Sequence, residues 1–290
     1  VSTRPTVLLA TFDLLPAGEG GGHRLPEALD AAGVDASWAV WSDPEVDWAA
    51  ADLVAVRSTW DYHRRLPAFL AWTRRVEADG HLLGSAAVMA WNADKSYLLD
   101  LAEDLPVVPT TLVDADGLVE ALEAGLARHG TVVLKPRTGA GGTGVVVASR
   151  SDDPRLSALG GDAWLLQPLV DSVRTSGERS LFVLDGRVVS QVDKVAAGEQ
   201  DEVRVHPRYG GVMRPVDPDP AAVALAERTM AVVGQRHGGP LPYGRVDLLE
   251  VDGTLCVSEV EVIEPGLYLD LVPGNATAFA ATVVRALAAR

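Results

Sequence analysis

The run Val132-Val133-Leu134-Lys135, the loop Pro136-Arg137-Thr138-Gly139-Ala140-Gly141-Gly142-Thr143-Gly144 and the run Val145-Val146-Val147 together constrain this chain more than any other segment. The β-branched runs read as strands and the glycines as the connection between them, so the segment is a strand, flap, strand hairpin. A P-loop has a similar composition, but there the lysine closes the loop and a helix follows. Here the lysine precedes the loop and a strand follows. Lacking Cβ atoms, Gly139, Gly141, Gly142 and Gly144 let backbone N–H groups converge on phosphate oxygens, and a flap can close over them and exclude water. Lys135 would project from its strand onto a phosphate as a point charge. The plainer alternative is a loose hairpin loop.

A second pattern is acidic. Glu259 and Glu261 are two apart on an expected strand, Leu255 to Val262, so their side chains share a face. Adjacent carboxylates repel unless a cation bridges them, and hard oxygens suit Mg²⁺, with Mn²⁺ as the alternative. Asp247, on the preceding strand Gly244 to Glu250, joins them only in one register. A two-residue Asp252-Gly253 turn pairs 247 with 258 and puts Asp247 on the opposite face. A three-residue loop, Val251 to Gly253, with Gly253 left-handed as a bulge, pairs 247 with 257 and gathers all three acids. The second register is the one predicted. Without a cation, the same acids would be the solvated face of an edge strand.

Around these hairpins the chain alternates in type. Val7 to Ala10 and Leu53 to Val56 read as buried strands, Leu25 to Ala32 and Leu66 to Ala78 as helices, which suggests a small α/β domain with a parallel sheet over residues 1–90. Gly18 to Gly22 nearly spells a dinucleotide fingerprint, but His23 stands at the third glycine position, so a surface loop before a helix is the favoured reading. A helix from Lys95 to Glu103, capped by Asn92 or Asp94, opens a second unit, 91–170, whose short connections require antiparallel strands. Lys95 sits at that helix start, where backbone N–H groups also favour anions. A helix from Asp116 to His129 and a strand from Trp164 to Gln167 follow. The stretch Gln167-Pro168-Leu169 runs into a proline-broken hinge whose backbone groups could pair with an adenine edge. A third unit, 171–290, holds strands Ser180 to Leu184 and Arg187 to Lys194 around an Asp185-Gly186 turn, a helix from Ala221 to His237, the acidic hairpin, and a C-terminal helix capped by Asn275. Val195 to Pro218 reads as one long irregular stretch, which in a compact domain is functional or disordered. The cations Arg179, Lys194 and Arg204 are placed to meet a transferring phosphoryl group.

The net charge of −15 argues against nucleic acid and anionic membrane as partners, since both select basic surfaces. No stretch of about 18 apolar residues offers a membrane span. The lone Cys256 provides neither a disulfide framework nor a thiolate zinc site, and His23, His63, His81, His129, His206 and His237 lack metal-ligand spacing. A mature, cytoplasmic protein is the expectation.

In order along the chain, Lys95, Lys135, the glycine flap, Gln167-Pro168, Gly177-Glu178-Arg179 and the set Asp247, Glu259, Glu261 resemble the ATP-grasp superfamily, near its glutathione-synthetase and ribosomal-protein-S6-modifying branch. Val56-Arg57-Ser58-Thr59-Trp60-Asp61-Tyr62 and Glu259-Val260-Glu261-Val262-Ile263-Glu264-Pro265 resemble the actinobacterial group that includes the O-ureido-D-serine cyclo-ligase of D-cycloserine biosynthesis. The resemblance implies a mixed α/β and α+β architecture: a Rossmann-like N-terminal domain before two α+β subdomains that enclose ATP. It further implies Lys95 and Lys135 on ATP phosphates, Glu178 on the ribose, and Asp247, Glu259 and Glu261 on two Mg²⁺ ions. Many relatives carry Asn where Glu261 stands, which alters the charge expected at the metals. Homodimers are common among relatives, although no feature of this chain calls for one.

The activity implied is carboxylate–amine ligation: a small amino-acid-like carboxylate attacks the γ-phosphate, and a nitrogen nucleophile displaces phosphate from the acyl phosphate to give an amide or lactam. Arg57, at a strand end where α/β domains place ligands, is the expected carboxylate clamp. Trp60 and Tyr62 would wall the pocket, with Arg204 and Glu264 completing it and Glu264 holding the substrate amine. The rival readings are a ligase acting on peptide or protein termini and a catalytically silent ATP-binding module.

Overall fold

Three sheets share the strands of the chain in the computed structural model, which describes residues 4–159, 163–196, 203–205 and 209–290. The first is parallel, in the order β2-β1-β3, from β1 (Thr6–Thr11), β2 (Asp35–Val40) and β3 (Leu53–Ser58). β1 and β3 are apolar almost throughout because helices cover them, as a parallel sheet requires. α1 (Arg24–Ala31) and α2 (Leu66–Ala78) flank this sheet. In α2 the buried Phe69, Trp72, Thr73 and Val76 recur at helical spacing, which is why its limits were legible in the sequence.

The next segment differs from expectation. The helix predicted from Lys95 to Glu103 is the shorter α4 (Tyr97–Leu101), and an unexpected helix, α3 (Ala86–Asn92), precedes it. Asn92 caps neither of them, whereas Asp94, the other residue expected there, accepts the Ser96 N–H at 3.0 Å just ahead of α4. The Asn92 amide donates to the Val260 carbonyl at 2.7 Å and accepts the Val262 N–H at 3.0 Å, imitating a strand residue against a sheet edge. Tyr97, Leu98, Leu101 and Leu105 share a core with Val246, Leu248 and Val260 of the C-terminal strands as well as with Leu165 of the 91–170 unit expected to contain them.

The second sheet is antiparallel, in the order β4-β7-β5-β6: β4 (Thr111–Asp114), β5 (Val132–Pro136), β6 (Val146–Ala148) and β7 (Ala163–Pro168). α5 (Leu118–His129) covers it over a small core that includes Leu122, Leu134 and Trp164.

The third sheet is also antiparallel, in the order β10-β9-β8-β11-β12, from β8 (Glu178–Leu184), β9 (Arg187–Val195), β10 (Val212–Val216), β11 (Tyr243–Val251) and β12 (Thr254–Glu261). β10 lies inside the stretch expected to be irregular and pairs with β9. Within that stretch, residues 197–202 and 206–208, His206 among them, lie outside the described residues. α6 (Pro220–Arg236) packs on one face of the sheet. α7 (Gly274–Ala288) returns to the N-terminal sheet, where Phe279 and Val283 join Val7, Leu9, Leu25 and Leu29. Asn275 is not its cap: Pro273 holds that position, while the Asn275 side chain accepts from Ser190 Oγ and donates to the Leu267 carbonyl. No helix of the described residues is long and apolar enough to cross a membrane.

Candidate active site

The β11–β12 hairpin decides where the acids stand. Val251 pairs with Thr254 across an Asp252-Gly253 turn, and both turn residues have positive φ, 49° and 77°. This is the two-residue turn rather than the predicted three-residue loop, and alone it would separate the acids. A bulge restores them: Leu248 pairs with Val257 but Asp247 pairs with Glu259, so Ser258 is the extra residue. The three acids therefore share one face, but through an irregularity inside the ladder and not at Gly253. Oxygen atoms of Asp247, Glu259 and Glu261 lie within 4.8 Å of one another.

Cations hold this group together. Asp247 is buried and accepts from Arg245 Nε at 2.9 Å, from Arg245 Nη2 at 2.8 Å and from the Ser180 hydroxyl. Lys194 Nζ is 3.5 Å from Asp247 and 2.5 Å from Glu178. Burial alone would raise the Asp247 carboxyl, but Arg245 and Lys194 hold it well below the carboxylate range. Glu261 responds the other way: burial, reinforced by Glu259 and Asp247, pushes it up to about 7 although Arg245 is bonded to it. Glu259 forms an ion pair with Lys95, which with Lys135 keeps it lowered against burial. Three crowded carboxylates, one of them driven toward neutrality, form a donor set of the kind a hard divalent cation relieves.

The second sheet supplies the opposite side. Lys135, on β5, is half-buried and makes no ion pair with any described residue. Burial lowers its pKa, opposed by Glu259 and Glu178. Lys95 joins it because the Lys95 N–H donates to the Arg137 carbonyl at 2.9 Å, while Arg137 Nε and Nη2 grip Asp94 at 2.7 and 2.5 Å. Beyond Arg137 the flap contains Gly141, Gly142 and Gly144, all with positive φ. Arg204 lies against Gly142 and over the Tyr209 ring, its guanidinium carbon 3.6 Å from the centroid.

Other expected site residues are placed differently. Arg179 points to the far face of β8, toward Asp219 at the start of α6 and toward Glu250, because strand alternation gives the near face to Glu178 and Ser180. Glu178, expected on a ribose, is paired with Lys194 beside Asp247. At the hinge, Gln167 is buried with its amide donated to Thr110 Oγ1, Pro168 ends β7, and the Leu169 N–H is taken by the Thr131 carbonyl. Arg57 is no open clamp. It is fully buried, donates to the Pro265 carbonyl at 2.6 Å and lies against the paired Tyr243 and Phe279 rings, tying β3 to the C-terminal segment. Trp60 donates from Nε1 to the Glu264 carbonyl at 3.4 Å. Tyr62 is buried against Phe69 yet senses Glu264, Glu261 and Glu259, and its pKa is raised, chiefly by burial. Glu264 is buried beside the acids, and burial and Glu261 raise it far above the carboxylate range.

Arg245 escaped the sequence reading, although its position two residues before Asp247 on one strand is the signal that could have found it. Tyr268 escaped too: its ring lies 5.5 Å from the Arg245 guanidinium carbon, and no local pattern announces that contact.

A small antiparallel sheet with a glycine flap, set across a basic and acidic centre from a larger antiparallel sheet and preceded by a parallel domain, defines an ATP-grasp enzyme. The model of the prokaryotic glutathione synthetase ATP-grasp domain matches residues 95–243, and that of the N-terminal domain of D-cycloserine synthetase DcsG matches residues 7–84. The cycloserine biosynthesis protein DcsG of Streptomyces lavendulae is 34% identical over 277 residues, covering 91% of this chain and 92% of that protein. The crystal structure of D-cycloserine synthetase DcsG superposes with a TM-score of 0.86 at 31% identity, over 97% of this chain and 99% of that one. The ATP-grasp ligase PsnB, solved with Mg and ADP, shares the fold at a TM-score of 0.67 and 17% identity, over 97% of this chain and 99% of that one. The chain belongs to the ATP-grasp ligases, enzymes that form carbon–nitrogen bonds with ATP and Mg²⁺, and carries the DcsG type of N-terminal domain.

Proposed function

We propose that this ligase activates the carboxylate of a small amino-acid-like substrate as an acyl phosphate and joins it to a nitrogen nucleophile, closing a ring when both groups belong to one molecule. The observation that carries the reading is the convergence of Lys95 and Lys135 with Asp247, Glu259 and Glu261 at one centre built from two sheets. The similarity to a D-cycloserine synthetase supports ring closure, a free D-amino acid of the O-ureido-D-serine type, and a role in antibiotic biosynthesis.

The chain's own groups have defined tasks in this scheme. Asp247, Glu259 and Glu261 are hard oxygen donors that lie within 4.8 Å of one another and would converge on Mg²⁺, and Mn²⁺ would be accepted by the same donors. When bound, the ion neutralises phosphate charge that builds during transfer. Lys95 and Lys135 hold phosphate oxygens, releasing Lys95 from Glu259 as the nucleotide enters. The flap over Gly139, Gly141, Gly142 and Gly144 offers backbone N–H groups and keeps water from the acyl phosphate. Gln167, Pro168 and Leu169 border the adenine. Arg245 and Lys194, anchored on Asp247, present positive charge to the reacting carboxyl, and Arg204 closes the flap side. Trp60 and Tyr62 wall the substrate, and the Glu264 carboxyl group faces its amino group. The partners are thus small molecules, a carboxylate and an amine, handled in the cytoplasm; a homodimer is the assembly expected from relatives.

The decisive experiment supplies ATP, Mg²⁺ and single amino acids, O-ureido-D-serine among them, with hydroxylamine as a trap. A hydroxamate and stoichiometric phosphate release for one D-amino acid are expected. ATP binding without carboxylate-dependent phosphate release would replace the reading with a silent nucleotide-binding module, and turnover confined to peptides would replace it with a peptide ligase.

A further inference from the structure

The acidic and basic centre leaves the glycine-rich stretch 18–22 without a role, and the structure shows what it grips. Glu19 is buried, and its carboxylate accepts the backbone N–H groups of Leu267 at 3.0 Å and Tyr268 at 2.9 Å. Its own N–H donates to Ser58 Oγ at 3.2 Å, and Arg57 Nη2 lies 3.7 Å from the same carboxylate. The neighbouring glycines make this approach feasible. A Cβ on Gly20 would lie 2.7 Å from Asp270 Oδ2, and one on Gly21 would lie 2.8 Å from the Asp270 nitrogen and 2.9 Å from the Leu269 carbonyl carbon. The loop is therefore a fitted clip on residues 267–270.

Tyr268, at the centre of the clipped segment, has a φ of 52°. The other described non-glycine residues with positive φ, Asp185 and Asp252, open Asp-Gly hairpin turns that demand it. Tyr268 occupies no such turn, and an aromatic residue in this region is held there by its surroundings. What the conformation achieves is position. The ring lies 5.5 Å from the Arg245 guanidinium carbon and 6.0 Å from Lys194 Nζ, and it packs edge-on against Phe182 at 5.4 Å.

We propose that Tyr268 walls the substrate end of the site and fixes the orientation of Arg245 and Lys194, and that Glu19 is the positioning residue that holds Tyr268 there. Glu19 acts through the backbone of Leu267 and Tyr268 and touches neither nucleotide nor substrate. The kinetic consequence rests on the ligase reading above; the coupling between Glu19 and Tyr268 does not.

A double-mutant cycle tests this with Glu19→Gln, Tyr268→Gly and the pair, read as Tm and as KM and kcat for the amino-acid substrate. Glycine accepts positive φ without strain, so the clip has less to hold. In the wild-type background Glu19→Gln is expected to lower Tm and to raise the amino-acid KM about tenfold, while the KM for ATP stays within about twofold. In the Tyr268→Gly background the KM effect should largely vanish and the Tm effect should shrink, the contacts of Glu19 with Leu267 and Arg57 remaining. Tyr268→Phe keeps the ring and should hold the amino-acid KM within about threefold of wild type. Equal kinetic effects of Glu19→Gln in both backgrounds would overturn the proposal, as would a lowered Tm with unchanged KM. If Glu19→Gln does not fold, Gly21→Ala, whose Cβ presses on the backbone of Leu269 and Asp270, takes its place in the cycle with the same outcomes. A wild-type chain that activates no amino acid refutes the ligase reading; the Tm cycle then decides the clip alone, additive shifts rejecting it and non-additive shifts upholding it.

Discussion

Two hairpins face each other across the centre, and they are built to opposite specifications. The β11–β12 hairpin is long, closes with a tight two-residue turn and locks its acids against Arg245, Lys194, Lys95 and Ser180. The β5–β6 hairpin pairs only Val132–Leu134 with Val146–Ala148, and a Cβ on Gly141, between its strands, would meet no atom within 4 Å. Its lysine, Lys135, has no ion-pair partner among the described residues. One hairpin already holds Asp247 and Glu259 against cations of the protein itself, whereas the other carries a lysine with no such partner among the described residues. A charge arrangement set in advance costs no reorganisation during the reaction, and a cover has to yield for substrate to enter.

Substitutions in the two hairpins should separate these roles. On the locked side, Asp247→Asn should lower turnover about 10³-fold, measured as carboxylate-dependent phosphate release. It should also destabilise the fold by about 3 kcal/mol in urea unfolding, because buried Lys194 and Arg245 lose their common partner. A stable Asp247→Asn protein would contradict the description of this hairpin as locked.

On the cover, Lys135→Ala should lower kcat about 10²-fold with little change in Tm, since no ion pair is broken. Its pH profile sharpens the point. Burial depresses the Lys135 ammonium below the ordinary lysine value, so activity should fall as pH rises through that lowered pKa. Lys135→Arg, which cannot lose its proton, should shift the alkaline limb upward, and an unmoved limb would assign it to another group.

Gly144→Val probes the flap backbone: φ there is 77°, and a Cβ would lie 2.8 Å from Pro136 Cγ. The expected loss in kcat/KM is about tenfold, with more phosphate released per amide formed because a distorted flap admits water. Smallest of all, Arg179→Ala should change turnover by less than about threefold and stability by about 0.5 kcal/mol. Its partners, Asp219 and Glu250, lie on the face away from the acids, and a large kinetic effect would mean that β8 presents both faces to the reaction.

Much was legible in the chain itself. α2 matched its predicted limits because Phe69, Trp72, Thr73 and Val76 keep one helical face, and the Asp185-Gly186 turn followed from a dipeptide whose backbone preference is local. The grouping of Asp247 with Glu259 and Glu261 was expected for the right chemical reason and the wrong geometric one. Like-charged neighbours two apart need a cation wherever they fold, but the bulge at Ser258 depends on how β12 lies against β11 and on the fit of its neighbours. Asn92 and Asn275 read as caps because Asn has one common local use, but Asn92 serves the distant backbone of Val260 and Val262, and Asn275 joins the Leu267 carbonyl to the Ser190 hydroxyl.

Sequence alone therefore determined the periodic elements, the turn chemistry and the charges that must be neutralised, since these depend on residues within a few positions of one another. Tertiary structure alone decided which face Arg179 shows, that Arg57 is sealed inside, and that Glu19 reaches Leu267 and Tyr268. Those outcomes are contacts between segments more than 200 residues apart or choices between the two sides of a strand. No local preference distinguishes them; only the packing of complete sheets against one another does.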